Sequence, residues 1–321
     1  MTDFLIAEKG KELGCETELT QWINTVLSRV KIVYTDIDGT VLGKRGCLLV
    51  DGSNLPSAHT AQSIVAANLC KDFVVVPCTG RSVTQLIEIS RLLGWDDFIG
   101  EAGAVRSYWD CSKGIRENVY ETPCWPENLQ SQISSDNTPL DIINSSGAME
   151  ALLATFPGQI EYHSPWNVNR KATNVLRGRI DTSQANLLFE ELSIPITLIE
   201  NGVIAPSAHT LIESSDPVRA YHLAPTGASK AQAIRADLNR RGLTKDEAIM
   251  IGDGMADLDC ADQVAAVFMM QNSLKAPGMD VAIASTANAY VTKGAQGDGW
   301  SQTISALLGS KDFARKDSAA I

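Results

Sequence analysis

From position 31 onward, short runs of β-branched and aliphatic residues alternate with stretches of helical periodicity, and several of the runs stop at a cluster of Asp, Gly and Thr. Ile32–Thr35, Phe73–Val76, Phe98–Ile99, Ala248–Ile251 and Ala265–Met269 read as buried strands. Thr60–Ala67, Val83–Leu93, Lys230–Arg240 and Leu258–Ala261 read as the helices beside them. Strands apolar at every position and separated by helices predict a doubly wound parallel α/β sheet, because each crossover helix covers a face that water would otherwise reach. Ligands bind outside the carboxyl ends of such strands, so the residues that end each run are where chemistry is sought.

The first run ends in Thr35-Asp36-Ile37-Asp38-Gly39-Thr40. Alternation along an extended backbone points Asp36 and Asp38 the same way, and a converging carboxylate pair calls for a metal. Gly39 allows a tight turn that leaves backbone amides free for an anion, although Asp-Gly turns after strands are also ordinary. The second run ends in Pro77-Cys78-Thr79-Gly80-Arg81-Ser82, where a hydroxyl and amides before a helix suit phosphate oxygens or, equally, cap the helix. Gly227-Ala228-Ser229-Lys230 opens a later helix with a cation at the end that disfavours one, so Lys230 either is solvated or faces an anion. A P-loop is excluded because GxxxxGK[ST] is absent, and a Ser229–Lys230 hydrolase lacks an evident oxyanion loop. The fourth run, Ile249-Met250-Ile251-Gly252-Asp253-Gly254-Met255-Ala256-Asp257, delivers Asp253 to a strand end with Asp257 one helical turn on. It lacks the spacing and final glutamate of a calcium loop.

At 321 residues the chain exceeds what one core usually serves, and the texture changes between about 105 and 224. There, candidate strands at Gln159–His163, Asn174–Ile180, Ile196–Glu200, Thr210–Ile212 and Arg219–Leu223 adjoin one another with few crossovers, among helices near Glu127–Ser134, Met149–Thr155 and Gln184–Leu192. An antiparallel α+β module inserted between two halves of the parallel sheet follows. Leu19, Ile23, Val26, Leu27 and Val30 predict an amphipathic helix over 17–30, and the tail from Lys311 to Ile321 reads as poorly tied down. A net charge of −11 disfavours nucleic acid and anionic membranes as partners. Seven scattered cysteines without CxxC spacing, and no signal-like start or membrane-length apolar run, predict a reduced cytoplasmic protein.

The four motifs in this order, DIDGT, TGRS, a lone Lys at a helix start and GDGMAD, resemble the haloacid dehalogenase superfamily over residues 31–310. The insertion, with Gly100-Glu101-Ala102-Gly103-Ala104 before it and Val291-Thr292-Lys293 after it, is similar to the capped Cof-type and sucrose-phosphatase-like branch. The resemblance implies an N-terminal extension over 1–30, a catalytic core over 31–104 and 225–310, a specificity cap over 105–224 and a tail over 311–321. It implies Mg²⁺ held by Asp36, Asp38 through its carbonyl, and Asp253, with Asp257 in an outer position. Asp36 would be the nucleophile, Asp38 the general acid and base, and Thr79, Gly80 and Lys230 the phosphoryl binders. The expected reaction is hydrolysis of a small phosphate ester, most readily a sugar phosphate, through an aspartyl-phosphate. A phosphomutase, a phosphoglycolate or glycosyl-glycerate phosphate phosphatase, and a non-catalytic binding protein are the alternatives. Tyr162, His163, Trp166, Asn167, Asn169, Arg170, Lys171, Asn174 and Arg177 gather rings, amides and cations, with Arg170 and Arg177 as candidate substrate contacts. Ala256 and Ala102 stand where this branch carries asparagine.

Overall fold

The computed structural model describes residues 4–5, 24–192, 194–204 and 211–319. In chain order these form β1 (Phe4–Leu5), helical residues 24–29 (α1), β2 (Ile32–Thr35), α2 (His59–Leu69), β3 (Val74–Pro77) and α3 (Val83–Leu93). Then come β4 (Phe98–Gly100), β5 (Val105–Asp110), β6 (Ile115–Tyr120), α4 (Glu127–Gln130), α5 (Pro139–Ser145), α6 (Ala148–Thr155), β7 (Ile160–Tyr162), β8 (Asn174–Gly178), α7 (Thr182–Glu190), β9 (Ile196–Val203) and β10 (Arg219–Pro225). The order closes with α8 (Lys230–Arg241), β11 (Ala248–Gly252), α9 (Met255–Leu258), β12 (Ala266–Met269), α10 (Met279–Ser285), β13 (Ala289–Thr292) and α11 (Gln296–Ala319). Two units divide the chain: Met1–Thr79, Ser90–Phe98 and Ile234–Ile321 in one, Gly80–Ile89 and Ile99–Ala233 in the other.

The first unit is built on a six-stranded sheet ordered β1-β13-β12-β11-β2-β3. All neighbours from β13 to β3 run parallel, and β1 joins β13 antiparallel. β2, β11, β12 and β13 are buried at every position, as strands covered on both faces are. Ile32 and Val33 of β2 are fully buried, each contributing about 1.5–3 kcal/mol of apolar transfer free energy. α2 packs against α11, whose fully buried Trp300 donates its indole N–H to Thr35 Oγ1 at 3.1 Å, tying the helix to the end of β2.

The second unit holds an antiparallel sheet ordered β7-β8-β10-β9 and, apart from Phe98 at the start of β4, a three-stranded sheet ordered β4-β5-β6. Side-chain alternation sends Leu176, Leu198, Tyr221 and Leu223 into a core with Ile143, Leu152 and Phe189 from α5, α6 and α7, and with Phe156 just after α6. Val175, Arg177, Ala220 and His222 therefore stand on the other face of the same sheet, and they too are buried.

Several sequence expectations are corrected. Phe98–Ile99 belongs to β4 in the three-stranded sheet rather than to the parallel one. The helix expected at Leu258–Ala261 starts at Met255 and ends at Leu258, because Asp257 accepts hydrogen bonds from the amides of Asp253 and Gly254 and so fixes the first turn earlier. Leu211 and Ile212 are not in a strand, and Thr210 lies outside the described residues. Of the expected helix over 17–30, residues 24–29 are helical and 17–23 lie outside the described residues. The tail continues α11 to Ala319, and Lys311 at its start donates from Nζ to the carbonyls of Ser28 and Val30 at 2.8 and 2.6 Å. Ala320 and Ile321 lie outside the described residues.

Candidate active site

β2 and β11 are parallel neighbours with Thr35 beside Ile251, and the ladder continues one step further as the Asp36 amide donates to the Ile251 carbonyl at 2.8 Å. Asp36 and Asp253 are the first residues past these strands, so the pairing register itself places them side by side. Asp36, Asp253 and Asp257 each present a carboxylate oxygen within 4.8 Å of the other two. Carboxylates at that spacing repel by about 3 kcal/mol per pair at an effective dielectric near 20, so the arrangement calls for a cation among them.

The surroundings hold Asp253 still. Thr40 Oγ1 donates to its Oδ1 at 3.1 Å, and Asn272 Nδ2 donates to its Oδ2 at 2.9 Å and to the Gly39 carbonyl at 3.0 Å. Asn272 is itself oriented by the Gln296 amide, which donates to its Oδ1 at 2.8 Å. Gly39 has φ +80°, and a Cβ there would lie 2.2 Å from Asp253 Oδ2. Both the left-handed backbone and the close approach therefore require glycine. Asp38 is exposed and its carboxylate lies outside the trio, a position suited to proton transfer with a bound group rather than to holding a metal by its side chain.

Thr79 is 2% exposed and follows β3, the neighbour of β2 on the side opposite β11, with the Cys78 amide donating to Thr35 O at 2.7 Å. The capping role that TGRS also allowed falls to Ser82: its amide donates to Gln85 Oε1 at 3.0 Å, and its Oγ accepts from the Gln85 amide at 3.4 Å. Thr79 and Gly80 are not consumed by the cap. Ser229 Oγ accepts from the Gln232 amide at 3.1 Å, which makes it the cap of α8. Lys230 opens α8 in the second unit and is 7% exposed.

Also in the second unit, Arg170 is almost wholly enclosed. Nε donates to the Thr173 carbonyl and Oγ1, both at 3.0 Å, and Nη2 donates to Thr173 Oγ1 at 2.8 Å and to the Gly80 carbonyl at 2.9 Å. Burial pushes its pKa down, opposed by the Glu101 carboxylate 3.7 Å away. Glu101, fully buried, also accepts from the amides of Lys171, Ala172 and Thr173 at 2.8, 2.9 and 2.9 Å. Arg177 is ion-paired with Glu161 across β7 and β8. Asn167 and Asn174 serve the backbone and each other, in a chain running from Val175 N through both amides to Asn144 Oδ1. Tyr162 and Trp166 are 40% and 52% exposed.

Asn272 was not singled out from sequence, and Thr40 and Glu101 were quoted within motifs but given no role of their own. Thr40 and Asn272 act across chain separations of 213 and 19 residues, which no local pattern reports.

No protein-family model and no curated protein matches the sequence. Solved structures do resemble it. A protein from Thermoplasma acidophilum matches with TM-score 0.56 and 17% identity over 87% of this chain and 98% of that one. The sucrose-phosphatase of Synechocystis, solved with sucrose and phosphate, matches with TM-score 0.55 and 14% identity over 86% of this chain and 97% of that one. A haloacid dehalogenase-like hydrolase from Bacteroides thetaiotaomicron matches with TM-score 0.52 and 16% identity over 86% and 98%. The fold is accordingly the haloacid dehalogenase-like one: a parallel sheet flanked by helices, with an additional antiparallel sheet module.

Proposed function

We propose that the protein is a Mg²⁺-dependent phosphatase of small phosphorylated metabolites, with sugar phosphates as the preferred class, acting through an aspartyl-phosphate on Asp36. The observation that carries this reading is the convergence of Asp36, Asp253 and Asp257 at the carboxyl ends of adjacent parallel strands. Residues 31–104 and 225–310 serve as the catalytic core, and 105–224 as the specificity cap. The sucrose-phosphatase likeness supports the substrate class at the level of fold.

The donor set is all carboxylate and carbonyl oxygen, which suits Mg²⁺ and disfavours softer metals. Asp36, Asp253 and the Asp38 carbonyl would hold the ion, with Asp257 beside them, and bound there it offsets the negative charge that otherwise keeps a carboxylate from a phosphoryl group. Asp36 then attacks phosphorus as the ester oxygen leaves. Asp38 donates a proton to the leaving alkoxide and later takes one from the water that hydrolyses the acyl phosphate. Thr79 Oγ1, the Gly80 amide and Lys230 bind the phosphoryl oxygens, where charge is stabilised in the transition state. Arg170 and Arg177 are the proposed cap contacts, the latter through the ion pair it shares with Glu161.

The test is phosphate release from a panel of phosphorylated metabolites with Mg²⁺. Asp36→Asn is expected to lose at least about 10⁴-fold in kcat while keeping the wild-type circular dichroism spectrum. Turnover equal to wild type in that variant ends the nucleophile assignment, and no release from any ester ends the phosphatase reading.

A further inference from the structure

His222 sits mid-strand in β10, between β8 and β9, opposite Val175 and Ile199. It faces away from the helix-covered core, is 3% exposed, and is flanked along its own strand by the small residues Ala220 and Ala224. Its ring lies against the turn that follows Thr79: a Cβ at Gly80 would stand 3.2 Å from Nε2 and 3.3 Å from Cε1. Arg170 Nη2 reaches the same residue, donating to the Gly80 carbonyl at 2.9 Å. His222 and Arg170 thus both adjoin Gly80, and all three belong to the second unit.

The hydrogen-bonding state of the ring follows from its neighbours. Asn201 Nδ2, a donor, lies 3.5 Å from Nε2, so Nε2 is placed as the acceptor and the proton is assigned to Nδ1. Nδ1 is buried and makes no hydrogen bond. A buried donor without an acceptor costs about 1–3 kcal/mol. Arg170, Lys230 and His163 act on the ring electrostatically, and Arg170 among them is paired with Glu101. The unpartnered Nδ1–H asks for an oxygen that accepts, and these basic groups favour one that carries negative charge.

We propose that His222, with Arg170 and Lys230, forms an oxyanion subsite of the second unit, in which Nδ1–H donates to a phosphate or carboxylate oxygen of the substrate. This rests on the phosphatase reading and narrows its substrates to esters with an anionic oxygen that reaches the Nδ1 edge of the His222 ring. The two sources of that oxygen are the phosphoryl group itself and a carboxylate on the leaving alcohol.

The experiment is calorimetric titration of the full chain with Mg²⁺ against inorganic phosphate in one arm and D-glycerate in the other. It compares wild type with His222→Leu, which removes the donor, and His222→Asn, whose amide nitrogen mimics Nδ1. A loss of at least tenfold in His222→Leu, restored to within threefold by His222→Asn, supports the subsite. The arm in which the loss occurs identifies phosphoryl or carboxylate as the bound oxygen. Imidazole NMR of the wild type guards against misfolded variants: the Nδ1 proton should shift and slow its exchange when the anion binds. Affinities within twofold of wild type in both arms, or an Nδ1 resonance unmoved at saturation, overturn the proposal. Ester turnover is measured separately, so a working phosphatase with an indifferent His222 refutes the subsite alone, and a His222-dependent anion site without turnover refutes the phosphatase alone.

Discussion

Glu101→Ala tests whether one carboxylate organises the loop that carries Arg170. Glu101 is fully buried and the Arg170 side chain is 2% exposed, so removing the acid leaves an enclosed guanidinium whose remaining partners are the neutral oxygens of Thr173 and Gly80. Breaking a buried pair in this way costs about 3–5 kcal/mol. The amides of Lys171, Ala172 and Thr173 lose their acceptor as well, although water entering the space left by the side chain recovers part of that. The expected net loss is about 4 kcal/mol. Urea denaturation followed through the buried Trp125 of the second unit reads the total, and amide hydrogen exchange at 171–173 reads it locally. Adding Arg170→Met to Glu101→Ala removes the stranded charge and should recover at least about 1 kcal/mol of the loss, a coupling that a double-mutant cycle isolates. A loss below about 1 kcal/mol in the single variant, or exchange at 171–173 no faster than in wild type, refutes the carboxylate as the anchor of this loop.

For the proposed Mg²⁺ site, Gly39→Ala should abolish stabilisation by the ion, because the added methyl meets Asp253 Oδ2. Where the wild type at 100 times its Kd for Mg²⁺ gains about 2.7 kcal/mol, seen as a rise in Tm, the variant should gain nothing. Burial among Arg170, Lys230 and His163 holds the His222 pKa down to about 3, from 6.5 in the unfolded chain. The unfolded state therefore binds the extra proton, and this contribution is fully present above pH 6.5 and is lost as the pH falls from 6.5 towards 3. Urea midpoints at pH 7 and pH 5 should differ less in His222→Gln than in wild type, and an unchanged difference would remove His222 as the cause. Ala102 has φ 59°, a left-handed conformation that costs a residue with a Cβ about 1–2 kcal/mol. Ala102→Gly should raise stability by about 1 kcal/mol in the same urea assay, and a loss of stability would show that the Ala102 methyl packs usefully.

The strand-end residues were readable in the sequence because their positions follow from chain-local facts. An apolar run of a few residues followed by Asp-Gly tells where a strand stops, and parallel pairing then brings Asp36 and Asp253 together without further information. What the sequence withheld depends on partners far along the chain. Asn272 sits in a short 3-10 turn with no periodicity of its own, and its role exists only because Asp253 and Gly39 lie within reach of one amide. Arg170 read as a ligand contact because cations near rings and amides suit sugars; that its Nε and Nη2 also bond the oxygens of Thr173 and Gly80, beside a Glu101 carboxylate 69 residues earlier, was not readable. β6 escaped notice for a different reason: Ile115–Tyr120 lies largely exposed, so no buried periodicity marks it. The left-handed backbone at Ala102 was equally silent, since alanine gives no hint of positive φ.

The position of β2 between β3 and β11 has a consequence for how the chain is made. One margin of β2 can be matched soon after synthesis, when β3 emerges, but the other waits for β11, which begins at Ala248, long after Pro77 ends β3. Throughout that interval an uninterrupted Ile-Val-Tyr-Thr segment offers bare amides and carbonyls to any passing extended chain. The hazard of aggregation is therefore greatest in the nascent protein, and it ends at the step that joins the two aspartates, so the birth of the site and the sealing of the sheet are a single event.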